Sequence, residues 1–146
     1  MILNQDFKEF IELLNANDVR YLVVGGYAVA IHGHPRYTKD LDIWIEAEAS
    51  NAARVVTALK QFGFDALGLI AEDFLQPQQV VQLGYPPHRI DLLTSVAGTE
   101  FPECYENRSS VEIGGVTIAF IGLSDLKRNK AASGRPQDLA DLGKLR

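Results

Sequence analysis

The sequence predicts an α/β or α+β domain, because short apolar runs typical of strands alternate with segments of helical periodicity. The run 21–24 is apolar throughout and ends at a glycine pair, as a buried strand does. The chain has 146 residues, of which 47% are hydrophobic and 23% charged, which is typical of one ordinary globular domain. We therefore expect residues 1–146 to form a single domain.

The first half of the chain predicts three helices and two strands. The first helix is amphipathic, because apolar side chains recur at helical spacing from Phe7 to Leu14. Gly33 and Gly63 follow the other two helices as stop signals, and Ser50 is a candidate N-cap. In chain order we expect a helix over 6–15, a strand over 21–24, a helix over 27–32, a strand over 41–46 and a helix over 50–62.

The second half predicts four strands and three helices. Pro86-Pro87 suits a turn between the first two strands, and Gly114-Gly115 suits the two-residue turn of a β-hairpin. In chain order we expect strands over 80–83 and 89–93, a short helix over 101–107, hairpin strands over 111–113 and 116–120, a helix over 124–133 and a last helix from 136.

Charge and composition exclude several classes of protein. A net charge of −5 argues against a broad basic surface that coats DNA or RNA. No apolar run approaches the roughly 20 residues of a membrane-spanning helix, and the first residues lack the pattern of a signal peptide. The only cysteine is Cys104, so an internal disulfide is impossible. We expect a cytoplasmic protein.

Three aspartates carry the main functional prediction. Asp40 and Asp42 lie two apart at a predicted strand and so face the same way. Asp91 lies in the apolar run 89–93, where burying an acid is costly without a partner. Mg²⁺ or Mn²⁺ would relieve the repulsion among such carboxylates, since these hard cations prefer oxygen ligands. The alternatives are solvated acids at a strand entrance and, for Asp91, an ion pair with Arg89.

A glycine pair and a short cationic segment precede these acids. Gly25 and Gly26 stand between a strand and a helix, where glycines let the backbone approach a phosphate closely. The alternative is a tight turn without a ligand. Arg36, Thr38 and Lys39 directly precede the acids and could complement triphosphate oxygens, or they could be ordinary polar loop residues.

The order of these motifs resembles the nucleotidyltransferase superfamily typified by DNA polymerase beta. The matching stretches are Gly25-Gly26, the segment Arg-x-Thr-x-Asp-Leu-Asp over 36–42, and Ile-Asp-Leu-Leu over 90–93. The segment 129–141, with its Lys…Arg-x-x-Asp-x-x-Asp pattern, is similar to small bacterial members related to AbiEii-type and MenT-type toxins and to minimal nucleotidyltransferases. The superfamily's usual Gly-Ser is Gly-Gly here, and the spacer before Asp40 is longer than in minimal members.

The resemblance implies a mixed β-sheet flanked by helices, with further helices at the C-terminus. It implies transfer of a nucleoside monophosphate from a nucleoside triphosphate to a hydroxyl of RNA, protein or a small molecule, the acceptor possibilities including tRNA and a partner protein. By the match, Asp40, Asp42 and Asp91 would be metal ligands, and Lys130 would contact phosphate. The alternative is a catalytically weak or inactive antitoxin, or another interaction module, of a toxin–antitoxin pair.

Overall fold

The structure is a computed structural model that describes residues 3–34, 38–84 and 88–145. Within these ranges six strands form one sheet, in the spatial order third, fourth, second, first, sixth, fifth. The strands are β1 (Tyr21–Val24), β2 (Leu41–Ile45), β3 (Val80–Leu83), β4 (Ile90–Leu93), β5 (Ser109–Ile113) and β6 (Val116–Phe120).

The sheet is mixed. β1 pairs antiparallel with β2 and parallel with β6, while β2 pairs parallel with β4. The two outer pairs, β3 with β4 and β5 with β6, are antiparallel. Together with the flanking helices, this arrangement confirms the predicted fold class.

Six α-helices lie within the described residues, and their positions follow the predictions closely. They are α1 (Gln5–Ala16), α2 (Gly25–Ile31), α3 (Ala49–Phe62), α4 (Phe101–Glu106), α5 (Leu123–Ser133) and α6 (Pro136–Lys144). Two short 3₁₀ turns, Asp65–Leu67 and Ala71–Phe74, follow α3 and were not predicted. None of these helices is long and apolar enough to cross a membrane.

The start of α3 corrects one prediction. Ser50 is not the N-cap, because Glu48 takes that place and its carboxylate accepts hydrogen bonds from the backbone N–H groups of Ser50 and Asn51. A carboxylate at a helix N-terminus also interacts favourably with the helix dipole. The helix ends at Gly63, which adopts the left-handed conformation with a φ of 104°.

The centre of the sheet is buried on both faces. Every residue of β1 is buried, and Ile43 and Ile45 of β2 have no exposed surface. Side chains from α1 and α3 belong to the same core, among them Phe10 and Leu59. Central strands covered on both faces are expected to be apolar throughout, so a charged residue on β2 or β4 needs a specific explanation.

The hairpin prediction is confirmed in its essentials. β5 and β6 are joined at Gly114 and Gly115, which have positive φ angles of 59° and 85°, as a two-residue hairpin turn of the favoured hand requires. β5 begins two residues earlier than predicted. The predicted turn at Pro86-Pro87 lies outside the described residues.

Candidate active site

The register of three strands brings two of the predicted acids together. Asp42 of β2 lies opposite Asp91 of β4 in a parallel pair, and opposite Val24 of β1 in an antiparallel pair. Asp40 directly precedes β2 and keeps 38% of its side chain exposed. Because β1 ends at Val24, the backbone turn into α2 occurs directly beside these carboxylates.

Gly25 makes the closest approach to the acids. Its φ is +67°, and a Cβ atom built on it would lie 2.3 Å from Oδ2 of Asp42, far inside the contact distance of the two atoms. No other residue fits here without displacing the carboxylate, and L-residues also rarely adopt this φ. The sequence predicted a close backbone approach at the glycine pair, and the structure shows that it is made to Asp42.

Asp42 is the acid whose charge is least well compensated. Burial and, after it, the negative charges of Asp91 and Asp40 together raise its pKa to about 6, against the smaller opposing effects of Arg89 and Lys130. A carboxylate with a raised pKa is held in an environment with too much negative charge and too little water. The site therefore favours the arrival of a cation or a proton.

Arg89 partly neutralises the other two acids. Its Nε and Nη2 donate to the two oxygens of Asp91 at 2.7 and 3.1 Å. The same Nη2 donates to Oδ2 of Asp40 at 3.3 Å, and the Arg89 backbone N–H donates to the other oxygen of Asp40. Hydrogen bonds to Asp91 and its charge raise the pKa of Arg89. The ion pair that the sequence offered as an alternative for Asp91 is thus present.

The donor chemistry of this cluster fits a divalent cation, although the side chains are not arranged around one. The carboxylates supply the hard oxygen ligands that Mg²⁺ and Mn²⁺ prefer, and Asp42 lacks compensating charge. Among the residues that the structure describes, however, no three His, Cys, Asp or Glu side chains converge closely enough to hold a metal. The guanidinium of Arg89, rather than a metal, engages Asp40 and Asp91 here.

Lys130 reaches the same place from α5. It is only 5% exposed, and its Nζ lies 3.2 Å from Oδ1 of Asp138 and 3.2 Å from Oδ2 of Asp141, both on α6. Burial would raise the pKa of Asp138, but hydrogen bonds from Arg135 and Lys130 lower it. The C-terminal charges therefore form a packed ion network that links α5 to α6.

A cavity of about 420 Å³ is lined by residues of the carboxylate cluster and of α5. The predicted residues Gly25, Asp42, Asp91 and Lys130 line it, together with Arg135. Sequence reasoning missed the remaining polar lining residues, which are Ser95, Asn129 and Ser133. The sequence indicated them only through their neighbours. Ser95 comes shortly after β4, and Asn129 and Ser133 lie within one helical turn of Lys130 on α5.

The predicted phosphate-binding residues before the acids, Arg36, Thr38 and Lys39, are not among the described residues that line the cavity. Arg36 lies outside the described residues. Thr38 and Lys39 are described but do not line this cavity, and Lys39 is exposed. The hydroxyl of Thr38 donates to the backbone oxygen of Asp40 at 3.5 Å, a long hydrogen bond that orients the chain before β2. Their predicted contact with phosphates therefore stays a prediction.

Comparison with known proteins gives one family and several related folds. The model of a family described as a nucleotidyltransferase of unknown function (DUF6036) matches residues 2–145. No curated protein matches the chain.

Three solved structures share the fold. A Thermotoga maritima protein assigned to the nucleotidyltransferases is 16% identical, with 94% of this chain and 88% of that one covered and a TM-score of 0.65. The lincosamide antibiotic adenylyltransferase LnuA, with lincomycin bound, is 14% identical, with 99% and 96% covered and a TM-score of 0.58. An antigenic nucleotidyltransferase-like protein from Paracoccidioides brasiliensis is 18% identical, with 99% and 78% covered and a TM-score of 0.57.

Proposed function

The chain belongs to the DUF6036 family of nucleotidyltransferases, and we propose that it transfers a nucleoside monophosphate from a nucleoside triphosphate to an acceptor hydroxyl. The observation that carries the proposal is the pairing of Asp42 with Asp91 across β2 and β4, against the backbone of Gly25. Such a cluster is costly in a buried sheet unless a cation or a substrate uses it.

Asp40, Asp42 and Asp91 are the proposed ligands of Mg²⁺ or Mn²⁺. When bound, the cation would supply positive charge to the polyphosphate and lower the pKa of the attacking hydroxyl. Metal binding requires Asp40 and Asp91 to exchange the guanidinium of Arg89 for the cation, because their oxygens now accept its hydrogen bonds.

The triphosphate would lie in the cavity beside this cluster. Gly25 lines this cavity at the start of α2, and the buried ammonium of Lys130 belongs to the same lining. Arg36 and Lys39 are proposed to add charge from the segment before β2. A fixed positive charge in a buried site stabilises negative charge that develops during reaction more strongly than a solvated one does.

The proposed step is a substitution at the α-phosphorus. The acceptor oxygen forms a bond to this phosphorus, the bond from the α-phosphorus to the bridging oxygen of the β-phosphate breaks, and pyrophosphate leaves. The hydroxyl proton passes to a carboxylate, for which Asp91 is the proposed acceptor. RNA, a protein and a small molecule are all acceptors that carry a suitable hydroxyl. LnuA supports the small-molecule class, as an adenylyltransferase with lincomycin bound.

Labelled triphosphates test this proposal directly. The protein would be incubated with each nucleoside triphosphate labelled at the α-phosphorus, with Mg²⁺ or Mn²⁺ and an extract of small and large cellular molecules. We expect label on an acceptor and an equal amount of pyrophosphate, both lost in Asp42→Asn and kept in the exposed control Asp65→Asn. Release of inorganic phosphate instead of pyrophosphate would indicate a phosphohydrolase and contradict the proposal.

One observation favours a second candidate, a catalytically weak or inactive interaction module such as the antitoxin of a toxin–antitoxin pair. Arg89 pairs with Asp40 and Asp91, where a metal ion would otherwise bind. If the guanidinium never leaves, the site binds no metal and has no activity. This candidate predicts a protein that co-purifies with a fixed partner and binds triphosphate only after Arg89→Gln has removed the guanidinium. Triphosphate binding by the wild-type chain would rule it out.

The cytoplasm is the proposed location of the reaction, because it supplies nucleoside triphosphates and Mg²⁺ together. The buried thiol of Cys104 is consistent with a reducing compartment, since the side chain forms no internal disulfide.

A further inference from the structure

A second and larger cleft opens beside the carboxylate site. Its volume is about 800 Å³, against about 420 Å³ for the cavity of the acids. The two spaces share part of one wall, formed by Val80 of β3 and by Ser95, Val96 and Ala97 after β4. The larger cleft therefore directly borders the cavity that Asp42 and Asp91 line.

The walls of this cleft suit a compact molecule with both apolar and polar parts. Trp44, which is 2% exposed, lines the cleft and packs edge-on against Phe101, with ring centroids 5.2 Å apart. Gln78 and Thr99 add polar groups to the lining. Ligand sites commonly combine an apolar floor with a few oriented polar groups.

All the described ionisable side chains that line the cleft are acidic. Its ionisable lining residues are Glu46, Glu48 and Glu100, and no Lys, Arg or His is among the described residues that line it. Arg20 compensates Glu46 from outside at 3.7 Å, and the carboxylate of Glu48 is used as the N-cap of α3. Glu100 is exposed, lines the cleft and makes no capping hydrogen bond to α4.

We propose that this cleft is the acceptor site, and that the acceptor is a positively charged small molecule bearing a hydroxyl group. The inference rests on the proposed function, because the cleft acquires this role only if the neighbouring acids act on a triphosphate. Nucleic acid is disfavoured, since every bound phosphate needs positive charge and the cleft supplies negative charge. A concave wall of one sign concentrates small ligands of the opposite sign.

A charge series on one sugar scaffold tests the inference separately from catalysis. Full-length protein labelled with ¹⁵N would be titrated with a trisaccharide of glucosamine, its neutral N-acetylated form, a trisaccharide of galacturonate and a short single-stranded RNA. The readout is the shift of the backbone amides of Ser95, Ala97 and Thr99. We expect the strongest binding for the glucosamine trisaccharide and the weakest for the two anions.

Two variants assign the preference to this cleft. Glu100→Gln should weaken binding of the glucosamine trisaccharide about two- to fivefold, the range for one partly exposed ion pair, and leave the neutral form unchanged. Glu106→Gln, at the other end of α4 and outside the cleft lining, should change neither. Equal or tighter binding of galacturonate or RNA at these amides, or no shift with glucosamine, would overturn the inference. Parallel titration with a triphosphate separates the two proposals, since loss of that binding would instead contradict the proposed function.

Discussion

Replacing Asp42 with asparagine should remove activity and at the same time make the protein more stable. The side chains have nearly the same shape, but asparagine carries no charge. Burial and the two neighbouring acids raise the pKa of Asp42 from the ordinary value of 3.8 to about 6. Since a tenfold change in proton affinity corresponds to about 1.4 kcal/mol, ionised Asp42 costs the folded state about 3 kcal/mol.

The pH dependence of this cost follows from the two pKa values. Below pH 3.8 the carboxyl is protonated in both the folded and the unfolded state, so it costs nothing. Between pH 3.8 and about 6 the unfolded state loses its proton first, and the cost grows as the pH rises. Above pH 6 the cost is complete. Asp42→Asn should therefore gain up to about 3 kcal/mol at pH 8 and nothing near pH 4.

Urea unfolding of both proteins between pH 4 and 8, without divalent metal, measures this difference. The exposed control Asp65→Asn should show no comparable trend. Mn²⁺ should stabilise the wild type above pH 6, because the cation compensates Asp42, and should stabilise the variant much less. A variant that is less stable than the wild type at pH 8, or a difference that does not change with pH, would refute the reasoning.

Three further substitutions test other parts of the site. Gly25→Ala should lower the free energy of unfolding by roughly 1–3 kcal/mol, because its Cβ would meet Asp42 at 2.3 Å; unchanged urea unfolding would contradict the close approach. Arg89→Gln should tighten Mn²⁺ binding in calorimetry, since the guanidinium no longer competes for the carboxylates; weaker binding would count against competition. Lys130→Met should cost about 3–5 kcal/mol in urea unfolding because it strands buried acids, and the added change Asp138→Asn should recover part of this loss.

Much of the fold could be predicted because local patterns agree with the tertiary structure. The apolar runs of the central strands, the glycine stops and the two-glycine hairpin turn each have a local physical cause, and each was found where the sequence indicated it. The N-cap of α3 was misassigned, since serine and glutamate both accept hydrogen bonds from backbone N–H groups. Only the three-dimensional path of Glu48 shows which side chain does so.

The site could be predicted only in part, because its geometry depends on which strands are neighbours. The sequence shows that Asp42 and Asp91 lie on strands, but their direct opposition follows from the parallel pairing of β2 with β4, which no local pattern dictates. The ion network of Lys130 depends likewise on how α6 packs on α5. The acidic cleft was not predicted, because its walls come from three separate segments of the chain.

The most direct test of the central claim is a crystal structure of the protein with Mn²⁺ and a non-hydrolysable nucleoside triphosphate, using the anomalous signal of manganese. We predict manganese bound by Asp40, Asp42 and Asp91, with Arg89 displaced from these carboxylates. The triphosphate should lie between Gly25 and Lys130. A structure in which Arg89 still bridges Asp40 and Asp91, with metal and triphosphate absent from this cavity, would contradict the account.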